Sequence, residues 1–178
     1  SRPITRLELK AACDCPKPIV FMGRNLVDGS MHCTTRRHEY GVALLVDYLI
    51  RKGHSRFGLL VAEAKVGGNL LESNMFRDLA FARGCRLTEI ACRAEAGNYS
   101  PEVAHEALSH HLERFGCDFS ALFVISDYAA QGAFRALAEY GLKVPDDVSV
   151  VGSGSALSAD YMLPPLTTLG VDLRESSR

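Results

Sequence analysis

Short apolar runs alternate along the chain with stretches whose apolar residues recur every three or four positions. Residues 19–22, 57–61, 121–125 and 148–151 are apolar at nearly every position, the pattern of strands buried on both faces of a parallel sheet. Residues 86–91 are more polar, which places that strand nearer a sheet edge. Between the runs the period becomes helical. Val42, Val46, Leu49 and Ile50 mark a helix over about 39–52. Phe76, Leu79 and Ala80 mark one over about 70–83, Ala104, Leu108, Leu112 and Phe115 one opening at Pro101, and Ala130, Ala133, Phe134, Leu137 and Tyr140 one starting at about 128. Gly53, Gly84, Gly116 and Gly141 follow these helices as stop signals. Ser100-Pro101-Glu102 combines a cap, a preset φ and a carboxylate on the positive end of the helix dipole. Asp127 is the expected N-cap of the last helix.

The strand, helix and strand between 121 and 151 form a βαβ unit, whose crossover brings Asp127 and the Gly152–Ser155 loop to one edge of the sheet. Open α/β sheets hold small molecules at that edge. Elsewhere the pattern is weaker. Ile4, Leu7 and Ala11 suggest one amphipathic turn, Asn25, Asp28, Gly29 and Ser30 a polar loop, and Pro164 to Thr168 a stiff extended segment.

With 178 residues, 47% of them hydrophobic, the chain has material for one medium domain or two small lobes. The net charge of −1, with acids and bases interspersed, gives no footprint for holding a phosphate backbone tightly. The six cysteines are scattered through an α/β pattern, unlike a small secreted scaffold, and read as reduced thiols of a cytoplasmic protein. No apolar run approaches the ~20 residues that span a bilayer, and no leader is evident.

Several chemical signatures fail on spacing. His105, Glu106, His110 and His111 lack the two histidines four apart that a zinc-protease helix needs, and Cys13 and Cys15 have no second pair at ligand spacing. Gly152-Ser153-Gly154-Ser155 meets neither the dinucleotide fingerprint nor the G-x-S-x-G of a nucleophile elbow. No enzyme activity, metal or cofactor is therefore expected. Asp127 is either a cap alone or, at a buried strand's carboxyl edge, an acceptor for ligand hydroxyl or amine groups. Tyr99, in a polar loop before a helix, is either a stacking platform or a lid on the core.

The run VISDYAAQGAFRALAEYGLKVPDDVSVVG followed by PPLTTL closely resembles the effector-binding region of bacterial transcription regulators of the LacI/GalR family. PIVFMGR, Gly41, YLIRKGHSRFGLL, FRDLAFARG and NYSPE match the same family in the same order, from about Pro16 to Thr168. The resemblance implies a two-lobed three-layer αβα sandwich with parallel sheets, the periplasmic-binding-protein-like type I fold. Residues 1–61 and about 166–178 would then form a partial N-terminal lobe, and 62–165 the C-terminal lobe. It further implies a cytoplasmic homodimer that binds a small-molecule effector, sugar-like or another polar metabolite, in a cleft between the lobes. Such a dimer contacts DNA through a helix-turn-helix expected outside this chain, and no membrane. A solute-binding protein of the same fold for sugar-like ligands is the alternative.

Carried over residue by residue, the resemblance places Tyr99 in the family's ligand-packing loop and Asp127 at the Asp of its N-D pair. Ser126 stands where Asn is usual. Glu72 falls where an effector-clamping Arg is common, Arg37 and His38 replace D-N before Gly41, and Gly154 and Ser155 replace the acidic pair after G-[FY]. Arg24 keeps the basic position after the first matched strand. These departures argue against a standard sugar or purine pose.

Overall fold

The structure is a computed structural model and describes residues 6–17, 19–22, 32–34, 38–62, 68–93, 99–154 and 157–170. Two compact units divide the chain, Ser1–Arg37 and His38–Arg178. In the first, α1 (Arg6–Cys13) precedes β1 (Val20–Met22), which pairs in parallel with β2 (His32–Thr34). Leu7, expected on a buried face of α1, is 82% exposed. Strand β2 follows a stretch expected to be loop throughout; its three residues, His32-Cys33-Thr34, are too short and polar to carry a strand period.

The second unit runs α2 (His38–Arg51), β3 (Arg56–Ala62), α3 (Gly68–Ala82), β4 (Arg86–Cys92), α4 (Pro101–Phe115), β5 (Ala121–Val124), α5 (Asp127–Glu139), β6 (Ser149–Ser153), a 3₁₀ turn (Leu157–Tyr161) and β7 (Thr167–Leu169). Its five strands are all parallel, in the order β4-β3-β5-β6-β7. As the polar pattern of residues 86–91 implied, β4 lies at an edge. Alternate strand residues feed two cores. Leu60, Ile90, Leu122, Val124 and Val150 pack with Ala104, Leu108, Ala133 and Leu137 of α4 and α5. Phe57, Leu59, Phe123 and Val151 pack with Val42, Val46, Leu49 and Phe76 of α2 and α3. The Phe76 ring bridges Phe57 and Phe123 at centroid distances of 5.6 and 5.0 Å. Apolar runs are required here because helices cover both faces of the sheet.

The second unit holds elements from both sides of residue 61. Strand β3 hydrogen-bonds to both β4 and β5, and α2 packs on α3 and on β7, with Leu169 Cδ1 only 3.0 Å from where a Cβ on Gly41 would lie. The helix and strand before residue 62 therefore belong with the sheet that follows, as does β7 beyond residue 165. A glycine-containing loop after β3 suggests a crossing between lobes. Strand pairing, which local sequence does not reveal, sets which elements share this sheet.

Helices α4 and α5 make the tightest crossing. A Cβ on Gly132 would fall 1.8 Å from the Pro101 carbonyl oxygen, so the two backbones touch only because residue 132 has no side chain. Gly116, at φ 70°, ends α4 with its N–H donating to Leu112 O at 2.9 Å. Ser100 is the N-cap of α4, yet its hydroxyl makes no capping bond. It engages Glu102 instead, and that hydrogen bond is the main cause of the lowered pKa of the Glu102 carboxyl.

Candidate functional site

The carboxyl edge of the five-stranded sheet gathers most of the polar residues singled out from the sequence. Strand β5 ends into Ser126, whose extended backbone and side chain cap α5: its Oγ accepts the Ala129 N–H at 3.3 Å. This corrects the expected cap. Asp127 is the first residue inside the helix, and a hydroxyl one residue earlier satisfies the free N–H, which releases the aspartate for another role.

Asp127 is 2% exposed, and its carboxylate lies over the end of β6. A Cβ on Gly152 would sit 2.1 Å from Asp127 Oδ1, so the carboxylate fills the space a side chain there would occupy. Thr168, paired with Gly152 across the β6–β7 register, donates from Oγ1 to Asp127 Oδ1 at 2.6 Å. A hydroxyl donor, the first turn of α5 and a bare glycine backbone thus hold the buried Asp127 side chain in one place. Gly154, at φ 135°, follows; its N–H donates to Leu169 O at 2.9 Å, and Asp127 Oδ2 lies 3.5 Å from where its Cβ would be. Backbone in that region strains any L side chain, which explains a glycine at this position.

Glu72 reaches the same strand end from the opposite face. Val151 packs into the core beneath α2 and α3, so Ser153, two residues on, faces that side too. Its Oγ donates to Glu72 Oε2 at 2.9 Å, and Glu72 is 5% exposed. The structure therefore places two buried carboxylates around the end of β6, one on each face of the sheet.

Tyr99 precedes α4, half-buried against the α4–α5 core, and donates its hydroxyl to Leu60 O of β3 at 2.7 Å. Burial, and then the neighbouring Cys92 thiol, raise the tyrosine's pKa well above its usual value. Burial likewise pushes the Cys92 thiol up to about 12, so it is an inert core group. Tyr99 is thus anchored to β3 through its hydroxyl while its ring packs against the α4–α5 core.

His38 is the first residue of α2. Arg24, Arg37 and Ser155 lie outside the described residues. Thr168, Ser153 and Gly152 were not singled out as site residues. The Thr-Thr following Pro164-Pro165 is a visible signal, but only the β6–β7 register shows which threonine meets Asp127.

The histidines of α4 disperse. His105 pairs with Glu139 on α5 at 2.6 Å, while Glu106, His110 and His111 line an open groove of about 580 Å³ beside β4, with Phe115 at one end. Among the described residues no cluster of three or more His, Cys, Asp or Glu is placed to hold a metal ion, and no helix is long and apolar enough to cross a membrane.

Residues 46–178 match the family of periplasmic binding protein-like domains. The chain is 30% identical over 159 residues to the HTH-type transcriptional regulator AscG of Escherichia coli (strain K12), a match that covers 89% of this chain and 46% of that protein. It is 27% identical over 169 residues to the HTH-type transcriptional regulator GalR of Streptococcus thermophilus, covering 91% and 50%. The structure superposes with a TM-score of 0.78 on a lac repressor dimer bound to operator and the anti-inducer ONPF, at 26% identity, covering 96% of this chain and 57% of that one. The chain spans about half the length of these relatives.

Proposed function

The chain belongs to the family of periplasmic binding protein-like domains, and on that premise we propose that it is the effector-binding and dimerisation region of a LacI/GalR-like transcriptional regulator. A small molecule binds at the carboxyl edge of the five-stranded sheet, and its binding alters DNA affinity in a helix-turn-helix domain carried elsewhere in the whole protein. Asp127 carries this reading. It is an almost fully buried carboxylate held by the Thr168 hydroxyl over the bare backbone of Gly152, where open parallel sheets bind ligands. Ser126, Glu72, Tyr99 and Gly154 complete the wall.

No bond is made or broken in this mechanism. The effector binds one conformation of the regulator better than the other, and a differential affinity of about 1–3 kcal/mol suffices to switch operator occupancy. The relatives AscG and GalR are named transcriptional regulators, which favours this reading over a solute-binding protein. On this reading the protein acts in the cytoplasm, where its DNA is.

The lac repressor structure is a dimer, and this chain leaves Tyr161, the last residue of the 3₁₀ turn that packs on α5, 88% exposed and Leu163 beyond it 94% exposed, with Tyr128 exposed at the start of α5 itself. We assign the self-association face to this region. The test of the whole reading is a thermal-shift screen of sugars, polyols, nucleosides and amino compounds, since a bound ligand stabilises by mass action. A hit whose affinity is unchanged by Asp127→Ala overturns the site.

A further inference from the structure

Strand β4 closes one side of the five-stranded sheet, and no described strand pairs with its outer edge. In a parallel ladder the N–H and C=O of one residue face one neighbour, and those of the next residue face the other side. The Arg86 N–H donates to Ser55 O at 2.9 Å, so residues 86, 88, 90 and 92 bond to β3. Leu87, Glu89 and Ala91 therefore turn their backbone donors and acceptors outward. Such a row is a template for another strand.

Helix α4 overhangs that row. It runs back along β4: Tyr99, just before its start, meets Cys92, and beyond its end Asp118 accepts the Thr88 hydroxyl at 2.6 Å. The open groove of about 580 Å³ lies between the two, with Glu89, Ile90 and Ala91 on the strand side and Val103, Ala107 and Phe115 as an apolar wall on the helix side. From Val103 to Phe115 the helix rises about 18 Å, the length of about five extended residues. Phe115 is largely exposed at the amino end of β4, and Glu106 stands exposed on the rim nearer its carboxyl end. Glu89 is engaged on the other face of the sheet, where Arg77 of α3 donates to both of its carboxylate oxygens at 2.5 and 2.8 Å.

We propose that this groove is a peptide-docking site: an extended segment of a partner protein adds to β4 as a further strand beneath α4, with apolar side chains at alternate positions against Val103, Ala107 and Phe115 and a lysine or arginine against Glu106. Outward backbone groups repeat along β4 at about 6.6 Å, the spacing of alternate strand residues, which selects an extended chain over a compact small molecule. A second copy of β4 is a poor occupant. Antiparallel pairing of Arg86–Cys92 about a two-fold axis sets Glu89, its middle residue, against its own symmetry mate, a like-charge pair.

The experiment pans random heptapeptides displayed on phage against the full chain and makes the enriched sequences as blocked synthetic peptides. Enrichment of alternating apolar residues with a basic residue toward one end is expected. Residue-resolved amide exchange should show Leu87, Glu89 and Ala91 exchanging fast in the free chain and protected by peptide, with Thr88 and Ile90 slow throughout. Ala91→Pro removes an outward donor and no bond to β3, a substitution that edge strands tolerate; it is expected to weaken the peptide about tenfold or more. Glu106→Lys is expected to weaken it about threefold, a loss that shrinks at high salt. Melts without peptide check that both variants fold, and Glu106→Lys, at an exposed position, keeps the test intact if the proline variant does not. Failure to enrich such sequences overturns the proposal, as does peptide protection that misses the three outward amides or full affinity in both variants. Outward amides already protected in the free chain, and exposed on dilution, would make the occupant a second copy and overturn it equally.

Discussion

The α4–α5 crossing gives the sharpest test of how this unit holds its site. In Gly132→Ala the new methyl would lie 1.8 Å from the Pro101 carbonyl oxygen, 2.7 Å from its carbonyl carbon and 3.0 Å from the His105 nitrogen. All three are backbone atoms, so no side-chain rotation relieves the clash, and the helices must move apart by more than an ångström. That separation loosens the contacts of Ala104 and Leu108 with Ala129 and Ala133 in the shared core. Overpacking of this kind costs about 1–3 kcal/mol, more where backbone must shift. The substitution also removes a helical glycine, which alone is worth about 1 kcal/mol in the other direction. A net loss of about 2 kcal/mol is expected, a melting temperature lower by roughly 4–8 °C at ~2–4 °C per kcal/mol for a chain of this size. Far-UV circular dichroism against temperature and urea reads the change. An unchanged or raised melting temperature would show helix propensity dominating, and would refute the claim that the crossing distance depends on residue 132.

Other expectations concern the edge itself and the amino end of the sheet. Thr168→Val removes the donor to a buried carboxylate and should cost about 1.5–3 kcal/mol, measured by urea unfolding; a loss under a few tenths would mean that Asp127 is held by other groups. Gly152→Ala brings a methyl to 2.1 Å from Asp127 Oδ1 and 2.8 Å from Leu166 Cδ2, so it should displace the carboxylate and abolish effector-induced stabilisation. Tyr99→Phe leaves the Leu60 carbonyl without its hydroxyl donor and should lower stability by about 1 kcal/mol, checked by the same unfolding curve. Asp118 bears on acid sensitivity. Burial would raise its pKa, but the Thr88 hydrogen bond and the His111 imidazole 3.5 Å from Oδ1 outweigh that, and the net shift is below the ordinary 3.8. A depressed carboxyl pKa stabilises above its unfolded value and loses that contribution as pH falls through the folded one. Thr88→Val removes the 2.6 Å bond to Asp118 Oδ2 and should move the acid-unfolding midpoint to higher pH; an unchanged midpoint would refute the assignment.

Two features of the sequence sufficed for the fold of the second unit. Apolar runs at 57–61, 121–125 and 148–151 need helices on both sides, and the amphipathic periods between them supply those helices at lengths that match α2 to α5 to within a few residues. These are local properties, set by side-chain period, capping and glycine stops, so they are legible one stretch at a time. Asp127 was legible as a candidate from its place at the end of a buried run.

What the tertiary structure decided depends on pairing and approach. Strand pairing put β3 at the side of β5 in one sheet with β4, and packing put α2 in the same unit. Capping by Ser126 freed Asp127, and the β6–β7 register set Thr168 opposite Gly152, so that a missing side chain on one strand and a hydroxyl on its neighbour define the carboxylate's seat. The Glu72–Ser153 bond joins residues far apart in the chain through the alternation of β6, which turns one residue to each face. No local period encodes such contacts, because each is fixed by the distance at which two separately folded elements meet.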